Sequence, residues 1–464
     1  MSIISIPAPF EMQLRRELNE SEVLSLIEAL DGEATTAIRV NPYKMTDPDE
    51  VVCKWGAAAE SVPWSRYGFY LTERPQFTYD SAFHAGAYYV QEASSQFVGH
   101  ILSGEDLDGV RLLDSCAAPG GKTTLYSTLV GHEGLVVAAE LNRGRASVLA
   151  DNVRKWGLGN VVVVNSDAKQ LSAFESFYDV VAVDAPCSGE GMFRKMEVAR
   201  EEWSEGNVAL CVERQRDILQ GVWRTLKAGG TLIYSTCTFN RAENEEVLEW
   251  FEQWTEGEVV EYDDVECGDD WGVECGRVGA FQTFRFFPSK ARGEGFFVAV
   301  ARKGFDAGGR VRMPKGRKAI FSSLSRGDVA ECSRWVEQPE RMSFYLVGDT
   351  IYGYYTAQMD GVKRLAESLN VIYSGVAMGQ IFKGKLSPDG ALALFAGVNR
   401  EAAAVAELDE QDIITYLRRG EVAADRFEEG INLVVDLSGY AVGYVKRIGA
   451  RVNNRYLNSL KILK

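Results

Sequence analysis

Hydrophobic and polar positions change their rhythm along the chain. From residue 110 to about 255, short apolar runs alternate with longer stretches of helical spacing, which predicts strands at 110–115, 135–140, 160–166, 179–184 and 231–236 and helices at 122–131, 143–156, 207–227 and 243–254. Runs such as Val161-Val-Val-Val and Val180-Val-Ala-Val are apolar without alternation, as expected of strands covered on both faces. Two further strands, within 280–288 and 295–303, are joined by a short glycine-containing loop. Five parallel strands closed by a hairpin predict an α/β, doubly wound sheet with an antiparallel edge strand.

The flanks read differently. Phe10, Met12, Leu14, Leu18, Val23, Leu24, Ile27 and Leu30 lie near helical spacing, predicting one amphipathic helix over 10–31 that stops at Asp31-Gly32. Strand and turn signals at 36–42 and 64–71 follow, and a helix to about Leu102 is expected after 88–95, so a small α+β unit precedes the main sheet. Tyr88 and Tyr89 can stack on a base, although a tyrosine pair at a junction commonly just packs. The expected domains are 1–95, an RNA-recognition-like unit; 96–303, the main sheet; 304–318, a basic linker; 319–385, mixed strands and helix; and 386–464, a small β-rich module with a helix at 408–419.

A chain of 464 residues exceeds what a single core usually supports. Its formal charge of −16 argues at first against a nucleic-acid partner. The distribution weakens that objection, because residues 243–274 hold fourteen acids and no Lys or Arg. By contrast, 302–318 is a basic run broken only by Asp306, and the tail beyond Leu437 carries Lys446, Arg447, Arg451, Arg455, Lys461 and Lys464 with no acid. Phosphate binding follows such local patches rather than the sum. Eight cysteines without a Cys-x-x-Cys pair and three histidines speak against a metal site and a disulfide framework. No leader pattern and no apolar run of membrane-spanning length is present, so the expectation is a cytoplasmic protein with no membrane contact.

The loop after the first predicted strand of the sheet, Asp114-Ser-Cys-Ala-Ala-Pro-Gly-Gly-Lys-Thr, sits where nucleotides dock in such sheets. It is not a phosphate-wrapping P-loop, since the residue five before Gly121 is Cys116, and no Gly-x-Gly-x-x-Gly is found. Acids close the next three strands: Glu140, suited to both hydroxyls of a ribose; Asp167, suited to an exocyclic amine; and Asp184. Any one of them is commonly a helix N-cap. Together with consecutive glycines they favour an adenosine ligand without a polyphosphate, and S-adenosylmethionine fits.

Cys187 and Cys237 each stand where a predicted strand runs out, and neighbouring strands would open both onto the same crevice. A thiolate beside a methyl sulfonium suits pyrimidine C5 methylation, because cytosine C5 attacks a methyl group only after a nucleophile has added to C6. Asp184 is suited to hydrogen-bonding at N3 or N4, and a second cysteine can assist release. The residues leave open which cysteine is the nucleophile.

The motifs Asp114 to Thr123, Asp184-Ala-Pro-Cys-Ser-Gly-Glu-Gly with Arg194-Lys195, and Ser235-Thr-Cys-Thr, with Ile38-Arg-Val-Asn-Pro and Tyr88-Tyr-Val-Gln-Glu-Ala-Ser-Ser ahead of them, resemble the Sun-type family of RNA cytosine-C5 methyltransferases over residues 1 to about 303. The stretch from Gly443-Tyr-Val-Lys-Arg through Asn453-Asn-Arg-Tyr is similar to the PUA-like module of RsmF-type members. The resemblance implies a class I methyltransferase Rossmann-like fold. It implies Cys237 as nucleophile, Cys187 as release cysteine, and Asp184 and Lys195 as further catalytic residues. Cys116, Ala117, Ala118, Pro119, Gly120, Gly121 and Lys122, with Glu140, Asp167 and Asp184, would line the S-adenosylmethionine site. Lys446, Arg447, Arg451 and Arg455 would contact RNA, with small-subunit rRNA or the 30S particle as partner and a monomer as the working form. The rival readings are a tRNA cytosine methyltransferase, a non-catalytic adenosine-binding RNA chaperone and a P-loop ATPase, the last weakened by Cys116.

Overall fold

The computed structural model describes residues 5–47, 51, 54–56, 59–305, 314 and 320–463. Most of the basic stretch 304–318 lies outside the described residues, as does Cys53. The expected helix over 10–31 is two helices, Ala8–Glu17 and Glu20–Asp31. Asn19 breaks them: its side chain accepts the Glu22 amide at 3.1 Å while Glu22 returns a bond to the Asn19 amide at 3.2 Å, a capping box that outweighs the continuous apolar spacing.

A four-stranded amino-terminal sheet contains β1 (Thr36–Val40), β2 (Ala59–Ser61), β3 (Gly68–Leu71) and β4 (Tyr88–Val90). The main sheet follows with β5 (Arg111–Asp114), β6 (Leu135–Ala139), β7 (Val161–Val164), β8 (Tyr178–Asp184), β9 (Leu226–Thr236), β10 (Val259–Val260), β11 (Glu274–Val278), β12 (Phe281–Phe286) and β13 (Phe296–Lys303). Strands β9, β8, β5, β6 and β7 pair in parallel in that order, and β13, β12 and β11 add antiparallel strands beyond β9. Strand order reverses about β5, so the crevice at the carboxyl ends of β5 and β8 is where such a sheet takes ligands.

The carboxy-terminal part carries β14 (Ser322–Ser323), β15 (Met342–Val347), β16 (Thr350–Tyr355), β17 (Val371–Ser374), β18 (Val376–Phe382) and β19 (Lys385–Pro388), then β20 (Ala404–Leu408), β21 (Gly430–Asp436), β22 (Ala441–Ile448) and β23 (Arg451–Asn454). Two features depart from the sequence expectation. β17 pairs antiparallel with β7, so the main sheet has an antiparallel strand at each edge and one comes from beyond residue 319. The hairpin of β18 and β19 also spans the expected boundary at 385.

The physical reason for the first is the edge itself. All four valines of β7 are buried, and a bare apolar edge strand is an aggregation template. The cover extends past the ladder: Tyr354, Met359, Val362 and Leu365 pack into the same core as Val137, Val162, Val164 and Phe177. The Gln358 side chain donates to the carbonyls of His132 and Gly134 at 2.8 and 2.7 Å. The last sheet shares a core with the first, joining Ile38, Val40 and Tyr88 to Leu408, Tyr416 and Val434. Among the described residues no helix is long and apolar enough to cross a membrane.

A chain ending at Gly304 is therefore expected to lose solubility, because β7 and its apolar neighbours are uncovered. Light scattering and gel filtration of residues 1–304 against the full chain check this; a monodisperse, soluble truncation contradicts it.

Candidate active site

The glycine loop is held from three sides. Its amides at Ser115 and Ala117 donate to the carbonyls of Ala182 and Ala139, at the ends of the flanking strands, at 3.0 Å each. Its carbonyls face inward donors: Arg145 reaches Ala118 O and Asn152 reaches Pro119 O, both at 2.8 Å. Gly120 has φ of +113°, and a Cβ there would lie 3.0 Å from Leu149 Cδ1. Tyr88 is buried, its hydroxyl bonded to Asp80 at 2.7 Å. Tyr89 lies against the Pro119 carbonyl at 3.5 Å.

Arg39, in β1, was not assigned a role from sequence. Fully buried, it donates from Nε to Gln91 Oε1 at 2.7 Å and from Nη2 to Thr124 Oγ1 at 2.6 Å and Gly121 O at 3.2 Å, with its guanidinium 4.4 Å from the centre of the Trp156 ring. Burial pulls its pKa down to about 9. The amino-terminal sheet thus fixes the first turn of the helix Gly121–Val130, which begins at the glycine loop.

Asp114 closes β5 with one carboxylate oxygen on Thr123 Oγ1 at 2.6 Å and the other, Oδ1, buried without a partner among the described residues. Burial pushes its carboxyl up to about 7. Glu140, buried at the end of β6, accepts the Asn142 amide at 2.8 Å and has Arg145 at 3.5 Å. Asp167 caps the helix Ala168–Leu171 by accepting the Gln170 amide at 2.7 Å, the ordinary role of a strand-end acid. Cys116 is pushed up to about 12 by burial, so it remains a thiol. An orphaned buried acceptor, a positive-φ glycine and carboxylates on both sides of the loop fit a ligand that brings an amine and vicinal hydroxyls. The residues fit S-adenosylmethionine.

β8 and β9 are paired in parallel with Asp184 opposite Ser235. Asp184 Oδ1 accepts from Ser235 Oγ and from Lys122 Nζ, both at 2.9 Å, and the Lys122 ammonium lies 4.9 Å from the centre of the Phe296 ring. Lys122 therefore links the cofactor loop to the end of β8. Just beyond, the sulfurs of Cys187 and Cys237 are 2.9 Å apart, and the Cys237 amide donates to Cys187 Sγ at 3.3 Å. The hydrogen bond to Cys237 and burial hold the Cys187 thiol well above its ordinary pKa.

Lys195 pairs at 3.5 Å with the buried Glu294, which Arg194 also holds at 2.9 Å. Of the four tail cations that the resemblance assigns to RNA, Arg455 donates to Pro388 O at 2.9 Å and Arg447 Nε to Gly449 O at 2.9 Å, so both serve the fold. Lys446 is half-buried and Arg451 exposed, on β22 and β23. Glu190 and Glu243 carry no role assigned from sequence, the first lying inside a recognised motif and the second in the acidic stretch 243–274, and both are fully buried. Among the described residues no group of three or more His, Cys, Asp and Glu is arranged to hold a metal.

Gly120→Ala is expected to cost about 1–2 kcal/mol through its backbone conformation alone and to weaken S-adenosylmethionine binding roughly tenfold, which is about 1.4 kcal/mol. Denaturation and titration calorimetry measure the two. Unchanged affinity would detach the loop from the cofactor.

A family model described as "16S rRNA methyltransferase RsmB/F" matches residues 101–302, and one described as "N-terminal domain of 16S rRNA methyltransferase RsmF" matches residues 6–93. The chain is 29% identical to "Ribosomal RNA small subunit methyltransferase F" of Salmonella heidelberg (strain SL476), covering 98% of this chain and 97% of that protein. Among solved structures, a methyltransferase homolog protein from Pyrococcus horikoshii is 25% identical with a TM-score of 0.51, covering 64% of this chain and 100% of that one. NSun6 from the same organism, solved with SFG, is 20% identical with a TM-score of 0.54 over 65% of this chain and 99% of that one, a likeness of fold. With the two family models covering more than half of its length, and with the glycine loop and paired strand-end cysteines in place, the chain belongs to the RsmB/F methyltransferase family.

Proposed function

We propose that the protein transfers the methyl group of S-adenosylmethionine to C5 of cytosine in small-subunit rRNA, with Cys237 as nucleophile and Cys187 as the release cysteine. The observation that carries this reading is the pair of thiols 2.9 Å apart beside the Lys122–Asp184 ion pair, at the end of the sheet where the cofactor loop lies. S-adenosylmethionine, when bound, supplies an electrophilic methyl group.

The two sulfurs lie within hydrogen-bonding distance, so the Cys187 thiol can donate to a thiolate at Cys237, and the assignment of Cys237 as the attacking group follows the family motif. Addition of Cys237 Sγ to C6 makes C5 nucleophilic, and negative charge develops toward N3. Asp184 can hold the N4 amine or a protonated N3, while Lys122 keeps that carboxylate in place. After methylation the C5 proton passes to solvent water, its bonding pair re-forms the C5–C6 double bond, and the C6–S bond breaks with its electron pair going to Cys237 as a thiolate. Cys187 acts in that release, for which its position against the leaving sulfur suits it.

Of the four tail cations assigned to RNA, Lys446 and Arg451 remain for that contact, and a PUA-like role of β20 to β23 is part of this proposal. So are a cytoplasmic location and a monomeric working form.

Labelled S-adenosylmethionine offered with naked 16S rRNA, 30S particles and tRNA tests the reading. Label is expected in the rRNA or the particles as 5-methylcytosine, reduced at least about a thousandfold in Cys237→Ala, while Cys187→Ala accumulates a covalent protein–RNA adduct. Label confined to tRNA overturns the substrate, and a fully active Cys237→Ala overturns the mechanism.

A further inference from the structure

We infer that Glu190 and Glu243 form a reciprocal clamp, each carboxylate belonging to the segment of one cysteine and holding the backbone of the other, and that they are positioning residues for the thiol pair; the inference rests on the reaction proposed above. Glu190, three residues after Cys187, accepts through Oε2 the amides of Phe239 at 2.7 Å and Asn240 at 3.0 Å, just past Cys237. Its Oε1 accepts from Asn240 Nδ2 at 2.9 Å, Trp203 Nε1 at 3.1 Å and Gln13 Nε2 at 3.3 Å. The next residue, Gly191, donates its amide to Cys237 O at 2.9 Å.

Glu243 works in the opposite direction. Its Oε1 accepts the amide of Ser188, directly after Cys187, at 2.9 Å, and Gln215 Nε2 at 2.9 Å. Gln215 Nε2 also donates to the carbonyl of Pro186, directly before Cys187, at 3.1 Å. Asn240 Nδ2 joins the two carboxylates, lying 2.7 Å from Glu243 Oε2.

A role in stability alone does not account for this arrangement. Two buried acids close together are costly, and apolar side chains fill such space at equal or lower cost. The strand ladder already ties β8 to β9 as far as Asp184 and Ser235, and the clamp starts where the ladder stops. Among the described residues both oxygens of Glu190 meet N–H donors only, so a glutamine at 190 sets its NH₂ against them. What the carboxylates secure is the backbone on both sides of two sulfurs 2.9 Å apart.

The test uses the full chain with Glu190→Gln, Glu243→Gln and Trp203→Phe, the last removing one donor to Glu190 while keeping a large ring. Steady-state methylation and S-adenosylmethionine titration are compared with the rate at which diamide, taking up two protons and two electrons, turns Cys187 and Cys237 into a disulfide. Peptide mapping identifies that bond, because Cys267 and Cys275 also have their sulfurs 2.9 Å apart. The glutamine variants are expected to lose roughly a hundredfold in kcat with KM for RNA and cofactor affinity within about threefold, and to form the disulfide at least about tenfold more slowly. Trp203→Phe is expected to shift both rates in the same direction by less. Unchanged kcat and disulfide rate, or cofactor affinity falling in step with kcat, overturns the clamp. Because the disulfide rate needs no RNA, failure of the proposed reaction, seen as an active Cys237→Ala, is read separately.

Discussion

The site depends on one pairing: β8 and β9 run side by side in parallel, with Asp184 opposite Ser235. Two strands that end level release their following loops at the same height, so residues three and two positions further on meet above the sheet edge. That is why thiols fifty residues apart in sequence come to 2.9 Å. It is also why Ser235 and Lys122 converge on one Asp184 oxygen. Lys122 comes from the first turn of the helix that follows β5, the strand on the other side of β8, so three adjacent strands supply the chemistry.

The flanking units bear on the same region. Arg39 enters the first turn of the helix after the glycine loop from β1, trading hydration for hydrogen bonds and the Trp156 ring. At the far edge, β17 and the helix Met359–Ser368 cover β7 and the core beneath it. The last sheet then packs on the first, closing a circuit in which amino- and carboxy-terminal units brace the catalytic sheet from both sides.

A net charge of −16 is compatible with an RNA partner because part of that charge faces inward. Glu243 and Glu190 are enclosed by donors, and Glu258 accepts the Trp223 indole at 2.6 Å. Glu245 is paired with Arg285. Basic residues divide in the same way: Arg447 and Arg455 are turned to carbonyls of the fold, and Arg451 remains at the surface.

By itself the sequence determined the parallel strands, the helices between them, the glycine loop and the two cysteines, because each rests on local pattern: unbroken β-branched runs, helical spacing, and polar residues where a strand stops. It also carried the family motifs. Tertiary structure decided the rest. The break at Asn19 turned on a reciprocal side-chain bond that apolar spacing does not register. β17 joined the main sheet because an all-valine edge needed a partner more than two hundred residues away. Lys195 and Arg455 looked available as charges in a string of letters, and only packing revealed Glu294 and Pro388 O as their partners. Glu243 seemed one of fourteen similar acids, and its burial among amides depends on contacts that no local window contains.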